Sequence, residues 1–221
     1  MRRKYNRTEY KGLTVNNHIV NDKGNLIENR LSKTYSVLCS AIEHAYSKVI
    51  QQHFTLTLPT DYSNSYTIEQ LYKRFKDQLD RDWRRDNKKR RKLHYIATIE
   101  IEKSKNAHIH FMTFADSNRN QHGGVTMLVE SAWKHALTSE IVIDDNPVTV
   151  CEYKKGLIEH KRDTYLGLDR YQHLIDKNNL ESIEQAMFWA SYLCKNRNGT
   201  KLDKFKASIA SKTATDLDSV C

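Results

Sequence analysis

The chain has 221 residues, of which 38% are hydrophobic and 29% charged, with only 2 Pro and 7 Gly, a composition typical of one helix-rich globular domain. It contains no apolar run of membrane-spanning length and no secretory signal, so we expect a cytoplasmic protein with no membrane partner. The formal net charge of +9 favours polyanionic partners, because clustered Lys and Arg side chains displace counterions from a phosphate backbone.

The first half of the chain predicts two helices and a strand. After a basic arm over residues 1–30, apolar residues at helical spacing predict an amphipathic helix over 31–51. The alternation in "HFTLTLPT" (53–60) predicts a strand that Pro59 closes. A second helix is expected to begin at Thr67, where "TIEQ" has the form of a capping box, and its apolar stripe runs to Trp83.

The second half predicts a hairpin and two more helices. Only a few polar residues separate "KLHYIATIEIE" (92–102) from "AHIHFMTF" (107–114), which indicates a β-hairpin. "TMLVESAWKHAL" (126–137) is predicted helical, "PVTVCEY" (147–153) a strand, and "NLESIEQAMFWASYLCKN" (179–196) a helix with an Asn cap. Residues 154–177 are predicted irregular or partly helical. The main domain is therefore expected over 31–197, with helix 31–51 as its N-terminal extension and 198–221 as a tail.

Two kinds of sequence motif are missing, and their absence excludes some functions. No "GxxxxGK" phosphate loop occurs, so the chain holds no helicase or other motor of that kind and no nucleotide is expected. The widely spaced cysteines form no paired metal-ligand pattern and no disulfide framework, which indicates reduced thiols at Cys39, Cys151, Cys194 and Cys221.

Basic residues concentrate in two segments. Residues 73–92 hold eleven Lys or Arg and four Asp, and residues 2–11 hold five basic residues and one acidic. A solvated helix end and a solvated arm would explain each segment equally well. If they instead bind a phosphate backbone, we expect the contacts from Arg84, Arg85, Lys88, Lys89, Arg90, Arg91, Lys92, Arg2, Arg3 and Lys4.

The alternation in the hairpin predicts its register. Residues two apart in a strand share a face, so His108 and His110 lie together, on the face expected to be exposed. The apolar residues of both strands share the other face only if odd-numbered residues pair with odd-numbered ones, across an odd-length connection such as 103–105. That register puts Glu100 and Glu102 beside the two histidines; Ile101 opposite His108 would contradict it.

Two imidazoles and a carboxylate converging on one face make a metal site with open coordination positions. His-x-His alone also suits ordinary polar residues on a solvent-facing strand, and the correctly phased glutamates favour the metal. Glu100 is preferred as third ligand over Glu102, which is nearer the turn. A cupin would have a glutamate about four residues after the second histidine, where Phe114 stands. A non-haem iron oxygenase uses the same ligand classes but does not explain the basic charge.

Tyr192 lies off the apolar stripe of the last helix, on a face that also carries Phe188, Trp189 and Lys195. Packing at a helix–sheet boundary would explain an isolated tyrosine; a tyrosine and a lysine beside a metal site fit a nucleophile and its helper. A phenol of pKa about 10 is a poor nucleophile at neutral pH and needs a metal-polarised target or a nearby cation. Its attack on a phosphodiester would give a phosphotyrosine and a free hydroxyl.

Three motifs, in order, resemble those of HUH endonucleases of the replication-initiator type with a single catalytic tyrosine. They are "HFTLTLPT", "EIEKSKNAHIHF" with its glutamate eight residues before the first histidine, and "YLCKNRNG". In spacing, and in "FWASYLCK", the chain is similar to the filamentous-phage (inovirus) replication-protein family found in prophages and satellite elements. The resemblance covers about residues 50–199. No second tyrosine follows in Tyr-x-x-x-Tyr spacing, which disfavours a two-tyrosine initiator.

The resemblance implies an α+β fold, with a central antiparallel sheet of about five strands flanked by helices. It implies Mg²⁺ or Mn²⁺ held by Glu100, His108 and His110, with Tyr192 as nucleophile and Lys195 assisting. The substrate would be a single-stranded or hairpin DNA origin, nicked and joined through a 5′-phosphotyrosine to start rolling-circle replication of a phage, plasmid or satellite. The released 3′-hydroxyl would prime a host polymerase, with a host helicase as further partner. Alternatives are a single-tyrosine transposase, which shares the chemistry, and a non-catalytic DNA-binding regulator on the same fold.

Overall fold

The protein is described here from a computed structural model. The residues it describes are 4–5, 9–16, 26–45, 47–59, 67–86, 93–100, 107–118, 123–138, 140–143, 146–149, 157–162, 171–195 and 208–210. The strands and helices in these residues are, in chain order, β1 (Lys4–Tyr5), β2 (Glu9–Tyr10), β3 (Leu13–Thr14), β4 (Leu26–Ile27), α1 (Glu28–His44), β5 (Lys48–Thr57), α2 (Ile68–Asp86), β6 (His94–Glu100), β7 (His108–Asp116), α3 (Gly124–Thr138), β8 (Glu140–Ile143), β9 (Asn146–Thr149), β10 (Ile158–His160), β11 (Gln172–Asp176), α4 (Leu180–Ser191), a 3₁₀ turn (Tyr192–Cys194) and β12 (Ser208–Ala210).

The main sheet is antiparallel throughout and five positions wide. Its order is β10, β5, β7, β6, β12, and β11 also pairs with β5. Because β10 pairs with residues 54–56 of β5 and β11 with residues 48–52, these two short strands share one sheet position. With four α-helices in the described residues, the fold is the predicted α+β architecture with a sheet of about five strands.

Helices cover both faces of this sheet. Helices α2 and α3 bury an apolar cluster against the first face, which carries Phe54, Ile99 and Phe111. Helices α1 and α4 bury a second cluster against the other face, where Ile96 and Met112 lie. The prediction that the histidine face of the hairpin is exposed was therefore wrong. Alternation shows which residues share a face of the sheet. Whether that face is exposed to solvent depends on α1 and α4, which come from distant parts of the chain and cover it.

Capping motifs in the sequence correctly predicted where α2 and α4 begin. Helix α2 begins after the predicted capping box: the Thr67 amide donates to Gln70 Oε1 (2.8 Å), and the Gln70 amide donates to Thr67 Oγ1 (3.3 Å). Helix α4 has its predicted Asn cap at Asn179, whose side chain accepts from the Ser182 amide.

Several predicted bounds were wrong. The helix expected over 31–51 ends at His44, and residues 48–51 begin β5. Val49 fits the apolar stripe of a helix and the alternation of a strand equally well. It lies in a strand because it pairs with Asp116 on β7 and Ile175 on β11. The segment predicted irregular or partly helical contains β10 and β11, whose partner is the distant β5. The last helix, expected to reach 196, gives way to the 3₁₀ turn after Ser191.

Two further segments fall partly outside the described residues. The strand predicted over 147–153 overlaps β9, which ends at Thr149, and residues 150–153 are not described. Within 198–221, the described residues form β12, which pairs with β6.

The N-terminal segment contributes a small hairpin to the second layer. Strands β2 and β3 pair, and both intervening residues have positive φ, Lys11 at 49° and Gly12 at 78°, as a type I′ hairpin turn requires. Lys11 Nζ lies 4.7 Å from the Tyr35 ring centroid on α1, and the Asn16 amide donates to Ser191 Oγ at 2.6 Å. Part of the predicted basic arm therefore packs on α1 and α4.

The cysteine prediction needs one correction. Cys194 is free and buried, but Cys39 is disulfide-bonded. Spacing along the chain does not reveal which cysteines tertiary structure brings together, so reduced thiols were wrongly expected at Cys39. In the part of the chain described, no helix combines the length and apolarity needed to cross a membrane.

Candidate metal centre and tyrosine site

The two histidines and Glu100 meet where the hairpin strands approach their connection. Glu100, the last residue of β6, is the cross-strand partner of His108, and Thr98 is the partner of His110. Even-numbered residues pair with even-numbered ones, so the predicted register is confirmed. The connection spans residues 101–107, an odd length as predicted, and of these residues 101–106, Glu102 among them, lie outside the described residues.

The geometry of the three side chains fits a divalent cation. Glu100 Oε2 lies 3.3 Å from His108 Nε2 and 3.3 Å from His110 Nε2. One potential ligand atom from each residue lies within 4.8 Å of the other two. Two imidazole nitrogens and one carboxylate oxygen form a donor set used by Mn²⁺, Fe²⁺ and Zn²⁺, with positions left for substrate or water.

Burial strengthens this assignment. The exposed fraction of the side chain is 7% for Glu100, 5% for His110 and 12% for His108. Removing a carboxylate from water costs several kcal/mol unless positive charge or good hydrogen bonds compensate it. A cation bound between the three groups would provide that charge, and His108 is the most exposed of the three side chains.

Strand β5 supplies two residues that the sequence prediction did not assign to the site. Thr55 is the cross-strand partner of His110, and its Oγ1 lies 3.4 Å from His110 Nδ1. His53 lies closer, with Nε2 3.2 Å from the same nitrogen. The alternation in "HFTLTLPT" already placed His53, Thr55 and Thr57 on one side of a strand. Only the pairing of β5 with β7, which no local pattern reveals, brings that side to the histidines.

Tyr192 lies directly beside these imidazoles. Its ring centroid is 5.8 Å from that of His110, with the planes at 86°, and 6.0 Å from that of His53. Lys195 Nζ lies 4.9 Å from the centroid of the tyrosine ring, and the Lys195 residue is 9% exposed. The fold thus brings together all five predicted residues: Glu100, His108, His110, Tyr192 and Lys195.

The path of the chain after α4 differs from the helix predicted there. Tyr192 caps α4 and opens the 3₁₀ turn, after which Lys195 is extended, with φ −64° and ψ 140°. Lys195 forms a β-bridge with Leu26, and Arg30 Nη1 donates to the Lys195 carbonyl at 3.1 Å. Lys195 therefore reaches the tyrosine ring from an extended segment held by the start of α1, not from the next helical turn.

Contacts from β6, β5 and α1 hold α4 and the 3₁₀ turn in place. Thr98 Oγ1 on β6 donates to the Leu193 carbonyl at 3.1 Å, and Gln51 Nε2 on β5 donates to the Ala186 carbonyl at 3.1 Å. Thr34 Oγ1 on α1 lies 3.3 Å from Cys194 Sγ. Burial raises the pKa of the Cys194 thiol to about 12, with Thr34 and Arg30 opposing the change, so this cysteine stays protonated and is no competing nucleophile.

The expected phosphate-binding residues are not gathered at this site in the described structure. Arg84 and Arg85 are exposed on the last turn of α2, which packs on the sheet face away from the histidines. Arg85 Nη2 pairs with Asp82 Oδ1 at 3.3 Å. The side chain of Lys4, on β1, is not described. The remaining predicted contacts lie outside the described residues: Arg2, Arg3, Lys88, Lys89, Arg90, Arg91 and Lys92.

A protein-family model matches most of the chain. No curated protein and no solved structure matches the chain. A family model described as the YagK/YfjJ C-terminal domain matches residues 9–208. That range begins with β2, ends in β12, and includes the metal triad, Tyr192 and Lys195. Because it spans most of the 221 residues, the chain belongs to the YagK/YfjJ C-terminal domain family.

Proposed function

We propose that this protein is a metal-dependent endonuclease of the HUH type that nicks and joins single-stranded DNA, and so initiates rolling-circle replication of a phage, plasmid or satellite element. One observation carries the proposal. Tyr192 packs edge-on against His110, at 5.8 Å between ring centroids, with Lys195 Nζ 4.9 Å from its ring. A nucleophile, a fixed cation and a metal-binding triad in one place are the components of phosphodiester transesterification.

The reaction needs no external oxidant or energy source. The Tyr192 hydroxyl oxygen forms a bond to phosphorus, and the bond from phosphorus to the 3′-oxygen of DNA breaks. The phenol loses one proton and the leaving 3′-oxygen gains one, so a 5′-phosphotyrosine and a free 3′-hydroxyl result. Attack by a 3′-hydroxyl on the phosphotyrosine reverses these bonds and joins the strands. Lys195 stabilises negative charge on the phenolate and the phosphate.

The chain's own ligands for the cation would be Glu100, His108 and His110. A divalent cation bound there would neutralise a non-bridging phosphate oxygen and make phosphorus more electrophilic. We propose Mn²⁺ or Mg²⁺ as that cation. Of these two, Mn²⁺ suits a site with two imidazole ligands better, because Mg²⁺ prefers an octahedron of oxygen ligands.

The proposed reaction also suggests the DNA substrate and the partner proteins. The DNA would be a single-stranded or hairpin origin, and the basic segments 2–11 and 84–92 would contact its backbone. The free 3′-hydroxyl would prime a host polymerase aided by a host helicase, which places the protein in the cytoplasm. A single-tyrosine transposase would use the same chemistry, and excision of a defined element in cells would distinguish it.

The decisive experiment looks for a covalent protein–DNA adduct. Purified protein is incubated with Mn²⁺ and a pool of single-stranded oligonucleotides with a randomised centre, in linear and stem-loop forms, and resolved on a denaturing gel. We expect an adduct that resists denaturation, and that is lost with chelator, with Tyr192→Phe and with His108→Ala. Sequencing the captured DNA then gives the nick site.

The Tyr192→Phe variant separates catalysis from binding, because it removes only the hydroxyl oxygen. It should still bind the selected DNA and form no adduct. An adduct that forms equally well with Tyr192→Phe contradicts the nucleophile assignment. DNA binding by the wild type with no adduct on any selected strand supports the non-catalytic regulator instead.

A further inference from the structure

His53 is a buried histidine on the same sheet face as the metal triad. It is 3% exposed, and its cross-strand partner on β7 is Met112, next to His110 on that face. Its ring centroid lies 5.2 Å from that of His110, and its Nε2 lies 3.2 Å from His110 Nδ1. Two buried imidazoles this close together must share a proton between their facing nitrogens, or one of the nitrogens lacks a hydrogen bond.

The two ring nitrogens of His110 face different partners. Its Nε2 faces Glu100 Oε2 at 3.3 Å, and its Nδ1 faces His53. A neutral imidazole that offers Nε2 to a metal must carry its proton on Nδ1, and that proton needs an acceptor. His53 Nε2 lies within hydrogen-bond distance of that nitrogen at 3.2 Å, and Thr55 Oγ1 lies at 3.4 Å. His53 therefore lies behind the metal site and not among its ligands.

His53 also touches the nucleophile. Its ring centroid lies 6.0 Å from that of Tyr192, and 6.2 Å from that of Trp189 in an edge-to-face arrangement. Trp189 is 2% exposed and His53 is 3% exposed, so both rings lie in the buried layer between α4 and the sheet. His53 thus contacts His110 through its Nε2 nitrogen and Tyr192 through a tilted ring pair, with the planes at 56°.

We propose that His53 is a positioning residue for the metal centre. It accepts the Nδ1 proton of His110, which fixes the tautomer and orientation in which His110 Nε2 points at the cation. Its ring also supports Tyr192 beside that ligand. This inference rests on the metal centre of the proposed function and not on the DNA reaction.

The test measures Mn²⁺ binding alone, by calorimetric titration without DNA. His53→Leu removes the acceptor and should weaken Mn²⁺ binding by about 10- to 100-fold, the usual effect of losing such a support. His53→Gln places an amide oxygen near the position of Nε2 and should restore most of the affinity. His94→Leu is the matched control: His94 is 2% exposed on the same face of β6, opposite Phe114 and beside His44. It should bind Mn²⁺ like the wild type.

A second measurement needs no variant. In ¹⁵N-labelled protein loaded with diamagnetic Zn²⁺, which uses the same donor set, NMR should show a through-hydrogen-bond coupling between His110 Nδ1 and His53 Nε2. His53 should carry its own proton on Nδ1. A proton on His53 Nε2 in the loaded protein overturns the inference even if both His53 variants fail to fold.

The other outcomes are also decisive. Folded His53→Leu with wild-type Mn²⁺ affinity refutes the role of His53 while leaving the metal centre intact. Folded His53→Gln as weak as His53→Leu shows that hydrogen-bond acceptance is not what matters. Wild-type protein that binds no Mn²⁺ removes the metal centre and this inference together. A missing DNA adduct alongside the expected Mn²⁺ results removes the nuclease proposal alone.

Discussion

Binding of Mn²⁺ should raise the thermal stability of this protein through the triad. The folded hairpin holds Glu100 Oε2 at 3.3 Å from both ligand nitrogens, whereas the unfolded chain has no such arrangement. A ligand that binds only the folded state at about 100 times its Kd stabilises by about 2.7 kcal/mol. For a chain of this size, each kcal/mol raises Tm by about 2–4 °C, so the expected rise is about 5–11 °C.

The assay follows helix content by circular dichroism during heating, with and without Mn²⁺ at about 100 times the Kd measured by titration. His108→Ala removes one ligand, and its Tm should respond little to the same Mn²⁺ concentration. His135→Ala, an exposed histidine on α3, is the control and should show the full rise. If the wild-type Tm does not move, or if His108→Ala rises as much as the wild type, the triad is not the metal site.

Three further predictions concern the fold around the site. Phe111→Ala should lower the free energy of unfolding by about 3–5 kcal/mol in urea titration, because the ring is fully buried and packs edge-to-face on Phe75 at 5.0 Å. A loss below about 1 kcal/mol would mean that the apolar cluster under α2 and α3 collapses into the cavity left by the ring. Asn179→Ala should cost about 1 kcal/mol in the same titration, because its side chain caps α4 at the Ser182 amide, and an unchanged midpoint would show that the cap is dispensable. Burial raises the pKa of Cys194 from 9.0 to about 12, so its contribution to stability is complete below pH 9 and declines as the pH rises toward 12. Cys194→Ala should therefore lose less stability than the wild type between pH 9 and 10, and equal losses would contradict the raised pKa.

Much of the candidate site could be predicted because it depends on short-range geometry. The period of two in a strand puts His108 and His110 on one face, and burial of the odd-numbered apolar residues selects the register that adds Glu100. Both steps involve one hairpin, whose strands are close in sequence. The cap of α4 and the capping box of α2 are equally local, and they too were predicted.

The predictions failed where distant segments compete for the same backbone or surface. Residues 48–51 suit a helix until β7 and β11 offer them strand partners, and β10 and β11 exist only because β5 has an unpaired edge. The face of β7 that carries His108 and His110 was predicted to be exposed to solvent, because these polar residues alternate along the strand with apolar ones. Helices α1 and α4 cover it in the folded chain.

The sequence by itself predicted the hairpin register that puts Glu100 beside His108 and His110, since strand alternation encodes it directly, and it indicated Tyr192 and Lys195 as candidates. Only the tertiary structure decided that Tyr192 lies beside His110 and that Lys195 reaches its ring from an extended segment held by Leu26. It alone brought His53 Nε2 to 3.2 Å from His110 Nδ1. The physical reason is that contacts between distant segments depend on which strands and helices pair and pack, and that choice is made by burial over the whole chain rather than by local pattern.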